Sequence, residues 1–87
     1  MTLVSDEFVT QAHQVFKNLS ALTSAAGGSL ADCVKLTIYL TDLDNFQALN
    51  EIMAEYFNAP YPARAAIQVS ALPKGAAIEI DGVMALE

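Results

Sequence analysis

The chain has 87 residues, of which 54% are hydrophobic, and a formal net charge of −6. This length allows one domain, and its apolar content exceeds what so small a monomer can bury, which predicts a subunit interface. Nucleic-acid binders need clustered cationic side chains. The four lysine and arginine residues of this chain are well separated in sequence and are outnumbered by ten aspartate and glutamate residues. We therefore expect neither a nucleic acid nor a membrane surface as partner.

The cysteine count limits the chemistry further. Cys33 is the single cysteine, which excludes an intrachain disulfide and a cysteine-rich metal site. A single cysteine that cannot form an intrachain disulfide fits a reducing compartment, so the sequence predicts a cytoplasmic protein without a metal site. No apolar run approaches the roughly 20 residues that a membrane-spanning helix needs.

A long amphipathic helix is predicted over residues 6–26. Ser5 or Asp6 can cap its start, and Gly27 with Gly28 can end it. Apolar residues recur at steps of four and three, which defines one buried face made of Phe8, Ala12, Val15, Leu19, Leu22 and Ala26.

Residues 32–40 alternate and predict a strand whose core face carries Val34, Leu36, Ile38 and Leu40. Residues 42–45 then open a second helix, in which Asp44 and Gln47 resemble a capping box. Its apolar stripe is Phe46, Leu49, Met53 and Tyr56, and the two prolines within residues 58–62 end it.

Two further strands are predicted over residues 63–71 and 76–86, joined by a turn at residues 72–75. The order helix, strand, helix, strand, strand indicates an α+β fold. Both helices would cover one face of a mainly antiparallel sheet, and the other face would remain bare.

A tight turn between the last two strands would make them a hairpin with Gln68 opposite Glu79. Arg64 and Glu79 would then share the bare face, separated by roughly 13 Å along the strand. A site that uses both is more naturally completed by a neighbouring subunit. Two simpler interpretations stay open: Arg64 pairs with an acid across an interface, and Glu79 is a solvated strand residue.

Three segments of the chain carry a family resemblance. They are Tyr-Pro-Ala-Arg-Ala-Ala-Ile-Gln-Val at 61–69, Leu-Pro-Lys-Gly at 72–75 and Ile-Glu-Ile-Asp at 78–81. Together they resemble the C-terminal signature of the RidA/YjgF family of reactive-intermediate deaminases, also labelled L-PSP endoribonucleases. The resemblance extends over the upstream helices and strand, so residues 1–87 are interpreted as a single RidA-like domain.

The resemblance implies a chorismate-mutase-like fold, a homotrimer and ligand sites in the clefts between subunits. It also implies hydrolysis of 2-imino and enamine acids to 2-keto acids and ammonia, with no cofactor. By this resemblance Arg64 binds the substrate carboxylate, Glu79 is the catalytic residue that positions or activates the attacking water, and Asn50 contacts the ligand.

The chain departs from the family pattern at two places. Ala66 stands where many members have a cysteine, two residues after the arginine. The segment that precedes the first helix in typical members, and supplies strands and site residues, is missing. These departures motivate an alternative function, a non-catalytic small-carboxylate-binding or interaction protein on the same trimeric scaffold. The ribonuclease label predicts RNA affinity, which the charge of −6 disfavours.

Overall fold

The computed structural model describes residues 6–58 and 61–85. Two helices and three strands follow one another in the order predicted from the sequence. Their bounds are α1 Asp6–Ala25, β1 Cys33–Leu40, α2 Phe46–Met53, β2 Ala63–Gln68 and β3 Ile78–Met84. The predictions that fall on Ser5, Pro60 and Leu86 lie outside the described residues.

The three strands form one sheet in the order β2-β1-β3. β1 pairs in parallel with β2 and antiparallel with β3. The parallel pair is possible because α2 carries the chain back from the end of β1 to the start of β2. The α+β class is confirmed, and the sheet of described strands is mixed.

The predicted hairpin is wrong. β1 lies between β2 and β3, so Gln68 pairs with Leu40 and Glu79 pairs with Tyr39 instead of with each other. The segment at 72–75 contains a short 3-10 turn, Pro73–Gly75, in which Lys74 has a φ of 60°. The prediction that the chain changes direction at these residues is confirmed, but the segment connects the two edge strands, β2 and β3, which lie on either side of β1.

The hydrophobic core lies between the helices and one face of the sheet. Leu36, Ile38 and Leu40 of β1 are fully buried there and pack with Phe8 and Leu49 of the helices. This confirms three of the four predicted core residues of β1.

The start of β1 departs from simple alternation. The pairing with β3 shifts between Cys33 and Lys35. Such an irregularity changes which residues face inward. As a result Cys33 is buried and Val34 is 50% exposed, so the prediction that Val34 faces the core is wrong.

The buried face of α1 is rotated relative to the predicted one. Phe8 and Ala12 are buried as expected, and the next fully buried residue is Phe16. Leu22 is 67% exposed and Thr23 is buried in its place. The buried residues of the first turns, Phe8, Ala12 and Phe16, are thus spaced by four. The sequence prediction instead stepped by three from Ala12 to Val15.

The helix ends are fixed by local contacts. Gly27 adopts a φ of 90°, and the N–H groups of Gly27 and Gly28 bond back to carbonyls of α1, which confirms the predicted end of that helix. Before α2, Asp42 caps a short 3-10 turn, Leu43–Asn45, since its carboxylate accepts from the Asp44 N–H at 2.9 Å. The cap position of α2 itself is Asn45, which makes no side-chain capping bond, so the predicted capping role of Asp44 is wrong. No helix in the described part is long and apolar enough to cross a membrane.

Candidate ligand site

Arg64 lies at the second position of β2 and faces α2. It pairs with Leu36 of β1, and opposed residues of neighbouring strands share a face of the sheet. Because Leu36 is fully buried against the helices, the Arg64 side chain starts from the helix side of the sheet. The expectation that Arg64 stands on the bare face is therefore wrong. β2 is an edge strand of the described sheet, which leaves the guanidinium accessible.

Three residues of α2 hold the Arg64 guanidinium. Nη1 donates to the side-chain oxygen of Asn50 and to the sulfur of Met53, the latter at 3.5 Å. The guanidinium carbon also lies 5.7 Å from the ring centroid of Phe46, within cation–π range. Steps of four and three along the helix place these partners on one face. Asn50, which the sequence pattern left outside the apolar stripe, shares this face with Phe46 and Met53.

The remaining donors of Arg64 are available to a ligand. A guanidinium has five N–H groups, and the two on Nη1 face two acceptors here. Within the described chain, Nε and Nη2 have no hydrogen-bond acceptor from the protein. One N–H on each of these atoms points in a parallel direction, and such a fork matches the two oxygens of a carboxylate.

A cavity of about 210 Å³ opens beside this guanidinium. It is lined by Arg64, Asn50, Met53, Ala54 and Tyr61. Sites for drug-sized ligands usually measure about 300–1,000 Å³, so this one suits a small metabolite. Its walls combine one cation and one amide with three mainly apolar side chains, and none of these lining residues is an acid.

Glu79 lies apart from this cavity. Its strand partner is Tyr39, which stands three positions from Leu36 and therefore on the opposite face of the sheet. Glu79 is exposed and lines a separate depression beside α1 that shares no residue with the Arg64 cavity. Within one chain the structure thus brings Arg64 and Asn50 together and leaves Glu79 on the other side.

The open face around Glu79 is acidic. The pKa of Tyr39 is raised, first by its hydrogen bond with Asp81, then by partial burial and by the charges of Asp81 and Glu79. Asp81 and Glu79 are alternate residues of β3, so their side chains share this face with the phenol. The same alternation places Ile67 of β2 on the open face, opposite Tyr39.

Cys33 offers no nucleophile to either surface. Burial raises the pKa of its thiol, and the nearby Asp32 charge raises it further. A thiol in this state is largely protonated near neutral pH and reacts slowly. Among the described residues, no group of three His, Cys, Asp or Glu side chains is placed to hold a metal ion.

Sequence reasoning missed four residues of the site: Met53, Ala54 and Tyr61, which line the cavity, and Phe46, which contacts the Arg64 guanidinium. The sequence predicts Phe46 and Met53 only as members of the apolar stripe of the second helix, and it does not single out Tyr61, which is 60% exposed. The helical spacing of Phe46, Asn50 and Met53 was a usable signal. It could be used only with the knowledge that β2 runs parallel to β1 and thereby brings Arg64 against α2.

Fold and site define the class of protein: a small α+β domain with an arginine held at a small cavity between a helix and an edge strand. The family model described as Endoribonuclease L-PSP matches residues 1–86. The chain therefore belongs to this family, whose members include the RidA proteins.

Individual relatives agree with this assignment. The chain is 50% identical over 78 residues to the RutC family protein y4sK of Sinorhizobium fredii, covering 90% of this chain and 62% of the relative. It is 46% identical over 81 residues to the human 2-iminobutanoate/2-iminopropanoate deaminase, covering 93% and 59%. The crystal structure of RidA from Psychrobacter sp. PAMC 21119 superposes with a TM-score of 0.85 at 52% identity, covering 86% and 61%. The chain thus spans about three fifths of the length of these relatives.

Proposed function

We propose that this chain takes part in the hydrolytic deamination of reactive 2-imino and enamine acids to 2-keto acids and ammonia. Relatives from human, goat and mite, 36–46% identical to this chain, carry the name 2-iminobutanoate/2-iminopropanoate deaminase. The observation that carries the proposal is the Arg64 guanidinium. It is fixed by α2 at a cavity of about 210 Å³ with a free N–H fork.

In the proposed site Arg64 binds the substrate carboxylate through Nε and Nη2. Asn50 uses its oxygen to hold Arg64, and its amide N–H groups remain for the imine or keto group of the ligand. Because the carboxylate is fixed at one end of a small cavity, the C2 atom of the substrate is presented at a defined position.

We assign to Glu79 the handling of the attacking water. A carboxylate can accept a proton as water adds to C2 and return it to the nitrogen, after which the C–N bond breaks and ammonia leaves. The overall change is one imine plus one water to one 2-keto acid plus one ammonia, so no cofactor is needed. Since Glu79 and Arg64 lie on opposite faces of one chain, we propose that Glu79 of a neighbouring copy completes the site.

A homotrimer would supply such a neighbour. The open face of the sheet carries apolar side chains that are substantially exposed, among them Ile67 at 47% and Val83 at 56%. Exposed apolar groups on one strand face favour association with another surface. We propose that copies of this chain meet across this face, in a reducing cytosol that leaves the Cys33 thiol unpaired.

Turnover tests the proposal directly. A pyridoxal-phosphate dehydratase that releases imines from serine or threonine is combined with the protein, and 2-keto acid formation is followed. We expect faster formation than in buffer, and Arg64→Ala should remove the acceleration. Arg64→Lys should recover little of it, because lysine lacks the fork. Lys17→Ala on the exposed side of α1 is the matched loss of a cation and should remain active.

Mixing two inactive variants tests the shared site. Arg64→Ala copies retain Glu79, and Glu79→Ala copies retain Arg64. In randomly mixed cyclic trimers about a quarter of the clefts would combine both native residues. Reassortment should therefore restore up to about a quarter of the activity, whereas a site within one chain would stay inactive after mixing.

The second candidate function is a non-catalytic small-carboxylate-binding protein on the same scaffold. It is favoured by the lack of an acid among the residues that line the Arg64 cavity. Titration with 2-oxobutanoate separates the two functions: binding without turnover supports the second, and turnover supports the first. RNA cleavage is not proposed, because the four cationic residues do not form the cluster that phosphates require.

A further inference from the structure

We infer that Gln68 is a positioning residue for Arg64: it holds the start of α2 on β2 and thereby keeps the Phe46 ring beside the guanidinium. The inference rests on the proposed function, since it takes Arg64 as the carboxylate anchor. It adds to the site a residue that does not line the cavity and acts on the ligand only through Arg64.

Gln68 and Arg64 project from the same face of β2. They are four residues apart in the strand, about 13 Å along its axis, and the alternation of side chains places both on the helix side. Gln68 pairs with Leu40, which is fully buried against the helices, just as Leu36 is beside Arg64. Two polar side chains of β2 thus face the segment that contains α2.

The Gln68 side chain reaches the turn that leads into α2. Its Oε1 accepts a hydrogen bond from the Leu43 N–H at 3.0 Å. The Leu43 carbonyl accepts from the N–H of Phe46, the first residue of α2. The backbone of Leu43 therefore connects Gln68 with Phe46, whose ring centroid lies 5.7 Å from the guanidinium carbon of Arg64.

The start of α2 has no side-chain cap of its own. Asn45 stands at the cap position without a capping bond, and α2 has only 8 residues. Helix ends whose N–H groups lack such partners are less stable. Asp42 caps the preceding turn, but it belongs to the same segment and moves with it. Among the described residues, the Gln68 bond is the one that ties this turn to β2.

The contacts between Arg64 and α2 are shared with the ligand, whereas the Gln68 bond is not. In the proposed site the guanidinium bonds to Asn50 and to the substrate carboxylate at the same time. The bond from Leu43 to Gln68 lies outside the cavity, so it holds the Phe46 ring in the free and the bound protein alike. A ring held beside the guanidinium restricts its rotation, and less side-chain entropy is then lost when the ligand binds.

Gln68→Leu tests the inference, because leucine has a similar volume and no hydrogen-bond acceptor. Arg64 is the single arginine of the chain, so its Nε–H gives one assignable signal in a proton–nitrogen NMR spectrum. Displacement of the Phe46 ring should move this signal toward that of a free arginine side chain. The dissociation constant for 2-oxobutanoate should rise about 3- to 10-fold, the usual effect of one lost hydrogen bond.

Two further variants serve as controls. Gln68→Glu keeps an oxygen acceptor for the Leu43 N–H, and its affinity should stay within about 2-fold of the wild type at about 0.15 M salt, which largely screens a charge about 13 Å from Arg64. Gln14→Leu removes an exposed glutamine that bonds to Asn18 at 2.8 Å in α1. It should change neither the Arg64 signal nor the affinity.

A double-variant cycle separates action through the Phe46 ring from a general loosening of the fold. Phe46→Leu keeps an apolar side chain and removes the ring. If Gln68 acts through this ring, Gln68→Leu should weaken binding by less than about 1.5-fold when it is added to the Phe46→Leu protein.

Each outcome decides the inference. An unchanged Arg64 signal and affinity in Gln68→Leu, or losses that multiply in the double variant, overturn the role of Gln68 and leave the carboxylate anchor in place. Failure of the folded wild-type protein to bind 2-oxobutanoate overturns the anchor and the role of Gln68 together. A shifted signal and weaker binding in Gln68→Leu, both recovered in Gln68→Glu, support the inference.

Discussion

Arg64 of β2 donates from Nη1 to the side-chain oxygen of Asn50 in α2, and this bond joins the edge strand to the helix at the mouth of the cavity. The Met53 sulfur and the Phe46 ring restrain the same guanidinium from the same helix face. An arginine held in this way loses less side-chain entropy when it binds a ligand. These contacts thus fix the orientation of the Nε and Nη2 donors, which have no acceptor among the described residues.

Asn50→Asp should convert this hydrogen bond into an ion pair that competes with the ligand for Arg64. Charged hydrogen bonds are worth about 1.5–3 kcal/mol, so we expect 2-oxobutanoate to bind at least about 10-fold more weakly. Asn50→Ala should cost less, because it frees Arg64 without adding a competitor. Calorimetry on both variants provides the measurement, and an Asn50→Asp protein with wild-type affinity would contradict the assigned geometry.

Phe16→Ala should destabilise the fold by about 3–5 kcal/mol, since it empties a fully buried aromatic position. Leu22→Ala should change the free energy of unfolding by less than about 0.5 kcal/mol, because Leu22 is mainly exposed on the same helix. Urea unfolding followed by circular dichroism compares the two. A comparable loss at Leu22 would mean that another surface covers it.

Cys33 should resist alkylation in the folded protein. Its side chain is buried and the pKa of its thiol is raised above the ordinary value of 9.0. Iodoacetamide at pH 8 should modify the single cysteine at least about 10-fold more slowly in buffer than in urea, as read by mass spectrometry. Equal rates would show that the start of β1 opens readily.

Tyr39 should ionise later than an ordinary phenol. Its folded-state pKa is raised above the ordinary value of 10.0, so its contribution to stability is present below that pH and is lost as pH rises through the folded pKa. Asp81→Asn removes the largest cause and should move the phenolate absorbance change to lower pH. Tyr39→Phe identifies which part of the titration belongs to Tyr39, and an unchanged curve in Asp81→Asn would contradict the Tyr39–Asp81 hydrogen bond.

The elements of the fold could be predicted from local patterns. The alternation around Leu36 and Ile38 identified β1, and Gly27 identified the end of α1. These signals depend on residues within a few positions of one another. The same local view failed at Val34, because a shift in the pairing with β3 cannot be seen within β1 itself.

Strand pairing was the part that the sequence could not provide. Residues 72–75 have the composition of a hairpin turn, yet β3 pairs with β1 and not with β2. The partner of a strand is decided by packing with distant elements, here α2 and the core. This choice also sets the face of each side chain, and so the family resemblance named Arg64 and Glu79 but did not reveal that they stand on opposite faces.

The central place of β1 has a consequence for how the chain folds. Both β2 and β3 use β1 as their strand partner in the described sheet, and both lie far from it along the chain. No two strands of the described sheet can therefore pair early as a local hairpin. Such topologies fold more slowly, because large loops must close before any pairing compensates for the lost entropy. A destabilising substitution in β1 should therefore slow the formation of both β2 and β3, and so the ordering of both Arg64 and Glu79, although these two side chains lie on opposite faces of the sheet.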